Sequence, residues 1–218
     1  MNLNGVQEKI LEILKESFTV TEVPKDNYSE AKYPKLLPVM RFHVRRFEVK
    51  DLGHLFIMHT ESKIGMELIT VSLAAGSGKN VPYVLIDMMS MKGKDTVMVE
   101  YYDCTDGKID SAAFDAVKEK YRSLGDYHED AAWYVKERAP YALIKRGDGD
   151  TMIRMVYDSL AAYAKTAAAA DSDPANRERL TAFRERMISE GNPASEITEK
   201  LFGKEGAKDF FRSCVFRV

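Results

Sequence analysis

Hydrophobic and polar positions alternate with two different periods along this chain. Apolar residues recur at helical spacing over residues 4–18, which predicts an amphipathic helix, and a polar loop follows to about residue 37. Five strand-like stretches then succeed one another, separated by short turns rich in glycine: 39–49, 54–61, 66–74, 83–91 and 95–103. Connections of hairpin length favour an antiparallel meander over helical crossovers between parallel strands.

The second half of the chain returns to the helical period. Residues 110–123 are predicted to form a helix, and 141–144 a short edge strand. A further helix is predicted over 150–170. Another is expected to begin with Asp173 as its cap and Pro174 at its first helical position and to run to about 190, and two short helices separated by Gly203 follow. A helix, a run of strands and a run of helices predict an α+β fold, with helices packed on an antiparallel sheet. No linker interrupts this order, so we expect a single domain over residues 1–218.

One carboxylate interrupts the most apolar of these strands. In the run VPYVLIDMM (81–89), strand alternation places Asp87 on one face with Tyr83, Leu85 and Met89. If that face is covered, the low dielectric disfavours the charged carboxylate and raises its pKa. A raised carboxyl pKa suits a proton donor that works near neutral pH. The alternative is a solvated face, because one side of an antiparallel sheet often meets water.

Composition and charge restrict the possible classes of function. The chain is 45% hydrophobic and 30% charged, which is typical of a globular protein with a sizeable core. A formal net charge of −2 gives no global attraction to nucleic acid or to an anionic membrane. Cys104 and Cys214 are far apart, so thiols in a reducing compartment are expected. With neither a signal peptide nor a long apolar run, we expect a cytoplasmic protein with no membrane partner.

His59 and Glu61 are two residues apart on one predicted strand, where they would share a face. Such a pair can exchange a proton or hold polar groups of a ligand, although the same spacing is common on solvated strands. The sequence contains no metal-binding motif, and the run GSGK (76–79) lacks the spacing of a phosphate-binding loop. The absence of a dinucleotide fingerprint also argues against NAD or FAD on a Rossmann domain.

Two further groups of side chains have an ordinary and a functional interpretation. The cations Arg41, Arg45, Arg46 and Lys50 on one strand and its exit suggest a solvated face. Alternatively, they anchor ligand carboxylates or receive an acidic partner. Several methionines fall in the strands around Asp87, namely Met58, Met66, Met88, Met89, Met91 and Met98. Methionine fills irregular cores, and it also lines pockets for large, flat, apolar ligands.

Four stretches of the sequence carry a family resemblance. They are MHTE (58–61), VPYVLID (81–87), APYALI (139–144) and the C-terminal run 191–216, which contains GNPA, FGKEGA and VF. In order and spacing they resemble the ferredoxin-dependent bilin reductases, whose relatives include red chlorophyll catabolite reductase. The second stretch is similar to the family's Leu-Pro-x-x-Gly-x-Asp strand, with the same Pro-to-Asp spacing. The likeness covers about residues 40–218.

This resemblance implies a fold and a chemistry. The fold is a three-layer α/β/α sandwich that holds a linear tetrapyrrole, such as biliverdin, between the antiparallel sheet and the C-terminal helices. Single electrons come from ferredoxin or flavodoxin docked at basic residues near the pocket, and side chains protonate bilin radicals. No flavin or metal is bound. The catalytic residues implied are Asp87, which matches the family's central aspartate, supported by Glu61 and His59.

Two positions depart from the family's pattern. Thr70 stands where the family has a proton-relay histidine, and Asn192 stands at or beside a family aspartate. A threonine hydroxyl can pass a proton, whereas an asparagine cannot donate an acidic one. We assign Thr70, Asn192, Tyr83 and Met89 to substrate binding. The leading hypothesis is a bilin reductase, and the alternatives are a non-catalytic tetrapyrrole carrier or sensor and an interaction module without a small ligand.

Overall fold

A nine-stranded antiparallel sheet forms the centre of this computed structural model, which describes residues 1–107, 109–128 and 132–218. The strands are β1 (Val20–Glu22), β2 (Glu30–Tyr33), β3 (Met40–Val49), β4 (Gly53–Ser62), β5 (Met66–Ala74), β6 (Tyr83–Met91), β7 (Lys94–Tyr102), β8 (Gly125–Asp126) and β9 (Leu143–Arg146). They lie in the order β1-β3-β4-β5-β6-β7-β9-β8, and β2 pairs with β3 further along the edge that β1 occupies.

The five central strands, β3 to β7, match the predicted meander to within one residue at each end. The short outer strands were not predicted correctly. The stretch interpreted as a polar loop contains β1 and β2. The predicted edge strand is β9, which lies between β7 and β8 and is therefore not at the edge. Strands of two to four residues contain too few side chains to display an alternating pattern, so their pairing is decided by the sheet edge that they meet.

Five α-helices are present in the described residues: α1 (Val6–Lys15), α2 (Ala112–Lys120), α3 (Gly149–Ala169), α4 (Asn176–Ser189) and α5 (Ser195–Phe210). Helix α5 is kinked at Gly203, where φ is +76°, so the two predicted C-terminal helices are two halves of one bent element. A single π-helical turn follows at Phe211–Val215. Pro174 lies in the turn before α4 and is not its first helical residue.

The sheet separates two hydrophobic cores, which makes the fold a three-layer α/β/α sandwich of the α+β class. Helices α1, α2 and α3 pack on one face against buried side chains such as Ile57, Val71 and Ile86. Helices α4 and α5 and the C-terminal segment cover part of the other face, against Phe56 and Leu85. Neighbours such as Leu85 and Ile86 enter different cores because successive side chains of a strand point to opposite faces. The predicted fold class is confirmed.

Hydrogen bonds fix the second helical layer to the sheet. Asn176, at the start of α4, is fully buried, and its Nδ2 donates to the carbonyls of Val81 (3.2 Å) and Cys104 (2.8 Å). At the C-terminal end, Ser72 Oγ on β5 donates to the carbonyl of Val215 at 2.5 Å. Buried hydrogen bonds of this kind favour one docking position for the helical layer on the sheet.

Candidate functional site

A cavity of about 510 Å³ lies between the sheet and α5, on the face opposite α1–α3. Strands β3 to β7 form one wall, and α5 with the C-terminal turn forms the other. This volume lies within the range of small-molecule and cofactor sites. Most of the lining side chains are apolar, and they include six methionines: Met40, Met58, Met66, Met89, Met98 and Met187.

The methionines divide according to strand alternation. Four of the six that the sequence pointed to line the cavity, whereas Met88 is buried in the opposite core and Met91 is exposed. The phenylalanines Phe202, Phe210 and Phe211 complete the wall on the helical side. Flexible thioethers facing aromatic rings form a surface that adapts to a large, flat, apolar ligand.

Asp87 projects from β6 into this cavity. Thr70 is its register partner on β5, and the Thr70 hydroxyl donates to Asp87 Oδ1 at 2.5 Å. Of the described residues that the sheet contributes to the cavity lining, Asp87 is the one with a titratable side chain. A hydroxyl donated to a carboxylate is a strong, orienting hydrogen bond. The sheet therefore presents one carboxyl group, held in position, to an otherwise apolar cavity.

Two β4 residues also line the cavity, and of these the sequence pointed to Met58 but not to Thr60. Met58 is the register partner of Thr70, so the third position across the sheet is apolar. Thr60 also lines the cavity, and its buried hydroxyl has no hydrogen-bond partner in the described part of the chain. An unpartnered hydroxyl in such a site is available to a polar atom of a ligand. Only the register between β4 and β5 could have identified it.

His59 and Glu61 lie on the other face of the sheet, away from Asp87. Their register partners on β5 are Ile69 and Glu67, whereas Asp87 pairs with Thr70. His59 Nε2 lies 2.9 Å from Glu67 Oε1, and Glu61 is exposed. The two residues do share a face, as alternation predicts, but it is the face of α1–α3. The structure therefore does not bring this pair together with Asp87, as a supporting role would require.

The predicted binding residues have different positions. Met89 and Asn192 line the cavity. Asn192 also organises the turn before α5, because its Oδ1 accepts from the Ala194 amide (3.0 Å) and its Nδ2 donates to the Met187 carbonyl (3.2 Å). Tyr83 is not among the lining residues, since it is buried in the core below the cavity.

Tyr83 has a supporting contact of its own. Its hydroxyl lies 2.8 Å from Ser72 Oγ, and burial raises the pKa of the phenol well above its usual value. A neutral, hydrogen-bonded tyrosine at this position supports the cavity wall through packing and contributes no charge.

The charged groups at the cavity mouth are paired with one another. Glu196 and Lys200 form an ion pair along α5, with both side chains solvent-exposed. Tyr28 donates its hydroxyl to Asp209 at 2.5 Å, and this hydrogen bond raises the pKa of Tyr28 to about 12. The Glu196–Lys200 pair therefore contributes no net charge, and the Tyr28 phenol stays neutral.

The described residues contain neither a group arranged to bind a metal ion nor an exposed thiol. They contain no group of three or more His, Cys, Asp or Glu side chains arranged to hold a metal ion. Cys104 and Cys214 are free and buried, and burial raises the pKa of Cys104 to about 12. A thiol in that state is a poor nucleophile at neutral pH.

The fold is the one that the sequence resemblance to the bilin reductases implied. In particular, the chain is similar to phytochromobilin synthase from tomato, whose crystal structure is a complex with biliverdin. The TM-score is 0.81, over 99% of this chain and 83% of that chain, at 11% sequence identity. No protein-family model and no curated protein matches the sequence. At this identity the likeness establishes the shared fold.

Proposed function

We propose that this protein reduces a linear tetrapyrrole of the bilin class. The observation that carries the proposal is the position of Asp87, which the Thr70 hydroxyl holds at the wall of an apolar cavity of about 510 Å³. The similarity of the fold to a biliverdin-bound synthase supports the same ligand class. An apolar cavity with a few convergent polar groups is the usual form of such a site.

The polar groups of the cavity suit the polar edge of a bilin. The pyrrole N–H groups are donors, and a carboxyl oxygen of Asp87 is an acceptor for them. The lactam oxygens are acceptors, and the unpartnered Thr60 hydroxyl is a donor. The methionine-rich walls contact the ring faces, where dispersion and apolar burial supply most of the affinity.

The reaction proposed adds two electrons and two protons across one double bond. Ferredoxin or flavodoxin supplies the electrons one at a time, so a bilin radical forms between the two transfers. Asp87 donates a proton from its carboxyl group to the singly reduced bilin, regains one from solvent through the cavity mouth, and donates that proton after the second electron. The Thr70 hydroxyl orients Asp87 during this exchange. The scheme requires no bound flavin or metal.

His59 and Glu61 have no role in this scheme, because the sheet lies between them and the cavity. Proton transfer by a side chain requires hydrogen-bond contact with the reacting group or with one bridging water.

The buried thiols suggest that the protein works in a reducing compartment such as the cytoplasm.

A tetrapyrrole carrier or sensor is the second candidate, and Asn192 favours it. Both polar atoms of this side chain are used by the turn before α5, and neither can supply an acidic proton. A site with one titratable side chain on its sheet wall suffices for binding, whereas turnover requires that Asp87 be reprotonated in every cycle.

An anaerobic absorbance titration distinguishes the two candidates. Purified protein is titrated with biliverdin, and spectra are recorded before and after reduced ferredoxin is added. A red-shifted, sharpened bilin band that converts to a new chromophore supports the reductase, and the product identifies the bond reduced. Binding without conversion, with flavodoxin tested as a second donor, supports the carrier. The absence of any spectral change on titration contradicts both proposals.

A further inference from the structure

The five large hydrophobic side chains that the described structure leaves exposed all lie at one end of the sheet: Leu36, Leu37, Val39, Ile64 and Met91. They belong to three loops, which we call the loop surface: residues 34–39 between β2 and β3, 62–65 between β4 and β5, and 91–94 between β6 and β7. Leu36 is 94% exposed, Leu37 82% and Ile64 61%. Isolated exposed apolar residues need no explanation, whereas a cluster of them indicates an interaction site.

Hydrogen bonds make the three loops a contiguous surface. The Lys63 amide donates to the Val39 carbonyl at 2.9 Å, which joins the first loop to the second. The Lys92 amide donates to the Gly65 carbonyl at 3.3 Å, which joins the second loop to the third. The three loops therefore form one continuous surface, from which Leu36, Leu37 and Ile64 extend into solvent.

The charge of the loop surface is entirely positive. Its three segments contain four lysines, Lys35, Lys63, Lys92 and Lys94, and no aspartate or glutamate. All four lysines are exposed, and none forms an ion pair with a carboxylate in the described residues. The whole chain has a net charge of −2, so this local charge is hidden in the overall composition.

We propose that the loop surface binds an anionic lipid bilayer. Leu36, Leu37 and Ile64 enter the interfacial region of the bilayer, and the adjacent lysines contact the lipid phosphates. Lysine close to an anionic surface contributes about 1 kcal/mol per residue, or about fivefold in affinity. Shallow apolar insertion combined with basic residues is how proteins bind reversibly at membrane surfaces without a spanning helix. No helix in the described ranges could span a bilayer.

The exposure and charge of these side chains favour a bilayer over an acidic protein. Protein partners are generally held by large side chains that fill pockets, with a packed centre and a polar rim. Here the first two loops instead combine highly exposed apolar side chains with a lysine, which matches the layered chemistry of headgroups above acyl chains. Met40 and Met66, which adjoin the first two loops, also line the cavity. Binding in this orientation would place one end of the cavity beside the bilayer.

Vesicle co-sedimentation of the full chain tests this proposal. The probes are vesicles of phosphatidylcholine alone and of phosphatidylcholine with phosphatidylglycerol. The variant Lys35→Glu/Lys63→Glu/Lys92→Glu/Lys94→Glu is compared with Lys15→Glu/Lys50→Glu/Lys136→Glu/Lys165→Glu. The second set makes the same change of charge at exposed lysines outside the loop surface. A third variant, Leu36→Ser/Leu37→Ser, removes the apolar tips at positions where folding does not need them.

We expect wild type to bind the anionic vesicles, weakly at high salt, and not the neutral vesicles. Reversal of the loop lysines should weaken binding by more than about a hundredfold. The leucine pair should weaken it about tenfold or more, and the matched lysine set should retain it. The proposal is overturned if wild type ignores anionic vesicles, or if the matched set loses as much binding as the loop set. It is also overturned if the loop lysines bind ferredoxin but no vesicle.

Discussion

Asp87→Asn is the sharpest perturbation of the proposed chemistry. The amide has nearly the same shape as the carboxyl group, so the cavity keeps its volume and its contacts with neighbouring apolar side chains. In the wild type the Thr70 hydroxyl lies 2.5 Å from Asp87 Oδ1. The amide oxygen of the variant can still accept this hydrogen bond. The variant therefore removes the transferable proton and leaves the geometry of the site in place.

The expected magnitude follows from the role assigned to the carboxyl group. A positioned general acid contributes about 10²- to 10⁴-fold in rate, which corresponds to about 3–5 kcal/mol in the activation barrier. Replacement of the carboxyl group by an amide weakens a hydrogen bond to the ligand by about 1 kcal/mol, or about fivefold in affinity. Turnover should thus fall far more than binding, and the reaction should stop after the first electron, at a bilin radical.

Two anaerobic measurements separate these effects. An absorbance titration with biliverdin gives the affinity, and a time course after reduced ferredoxin is added gives the rate, with electron paramagnetic resonance to detect the radical. Glu61→Gln is the matched control, because it makes the same chemical change on the opposite face of the sheet. We expect Glu61→Gln to leave both affinity and rate unchanged.

Either of two results would refute this reasoning. If Asp87→Asn turns over at the wild-type rate, Asp87 is not the proton donor. If Glu61→Gln loses as much activity as Asp87→Asn, the role first inferred for Glu61 from the family resemblance is correct, and the proposed placement of the chemistry is not.

Three further predictions concern the groups around the site. Thr70→Val should lower turnover about tenfold or more, because it removes a hydrogen bond of about 1.5–3 kcal/mol that positions Asp87. Thr70→Ser keeps the hydroxyl and should restore turnover. Equal rates for the two variants would contradict this prediction. Burial, with Arg217 and Arg46 nearby, lowers the pKa of His54 to about 3, although Glu48 lies 3.7 Å away. In the unfolded chain the His54 imidazole takes up a proton near pH 6.5, whereas in the folded protein it stays neutral until about pH 3. The free energy of unfolding should therefore fall by about 2 kcal/mol from pH 6.5 to 5. Denaturant titrations of His54→Phe should no longer show this fall. Arg138 and Glu100 form a buried ion pair, and Arg138→Met leaves the Glu100 carboxylate buried without this cation. The variant should lose about 3–5 kcal/mol of stability. Thermal melts should show that the double variant with Glu100→Gln recovers much of this loss.

The sequence by itself determined the central strands and the main helices of this fold, and which residues within one strand share a face. The alternation in β3 to β7 is a local property, since each peptide unit turns successive side chains to opposite sides. It was enough to group Asp87 with Leu85 and Met89, and to group His59 with Glu61. The order of a meander followed by helices was enough to predict the α+β class.

Tertiary structure decided which of those groups meet. Alternation cannot state whether the face of Asp87 is also the face of His59, because that depends on the register between β4, β5 and β6. The register pairs Asp87 with Thr70, and it places His59 on the opposite face of the sheet. Likewise, only the docking of α5 encloses the cavity, and only the adjacency of three distant turns brings Leu36, Ile64 and Met91 to one end of the sheet. Contacts between residues far apart in the chain depend on how the whole fold packs, and no local period encodes them.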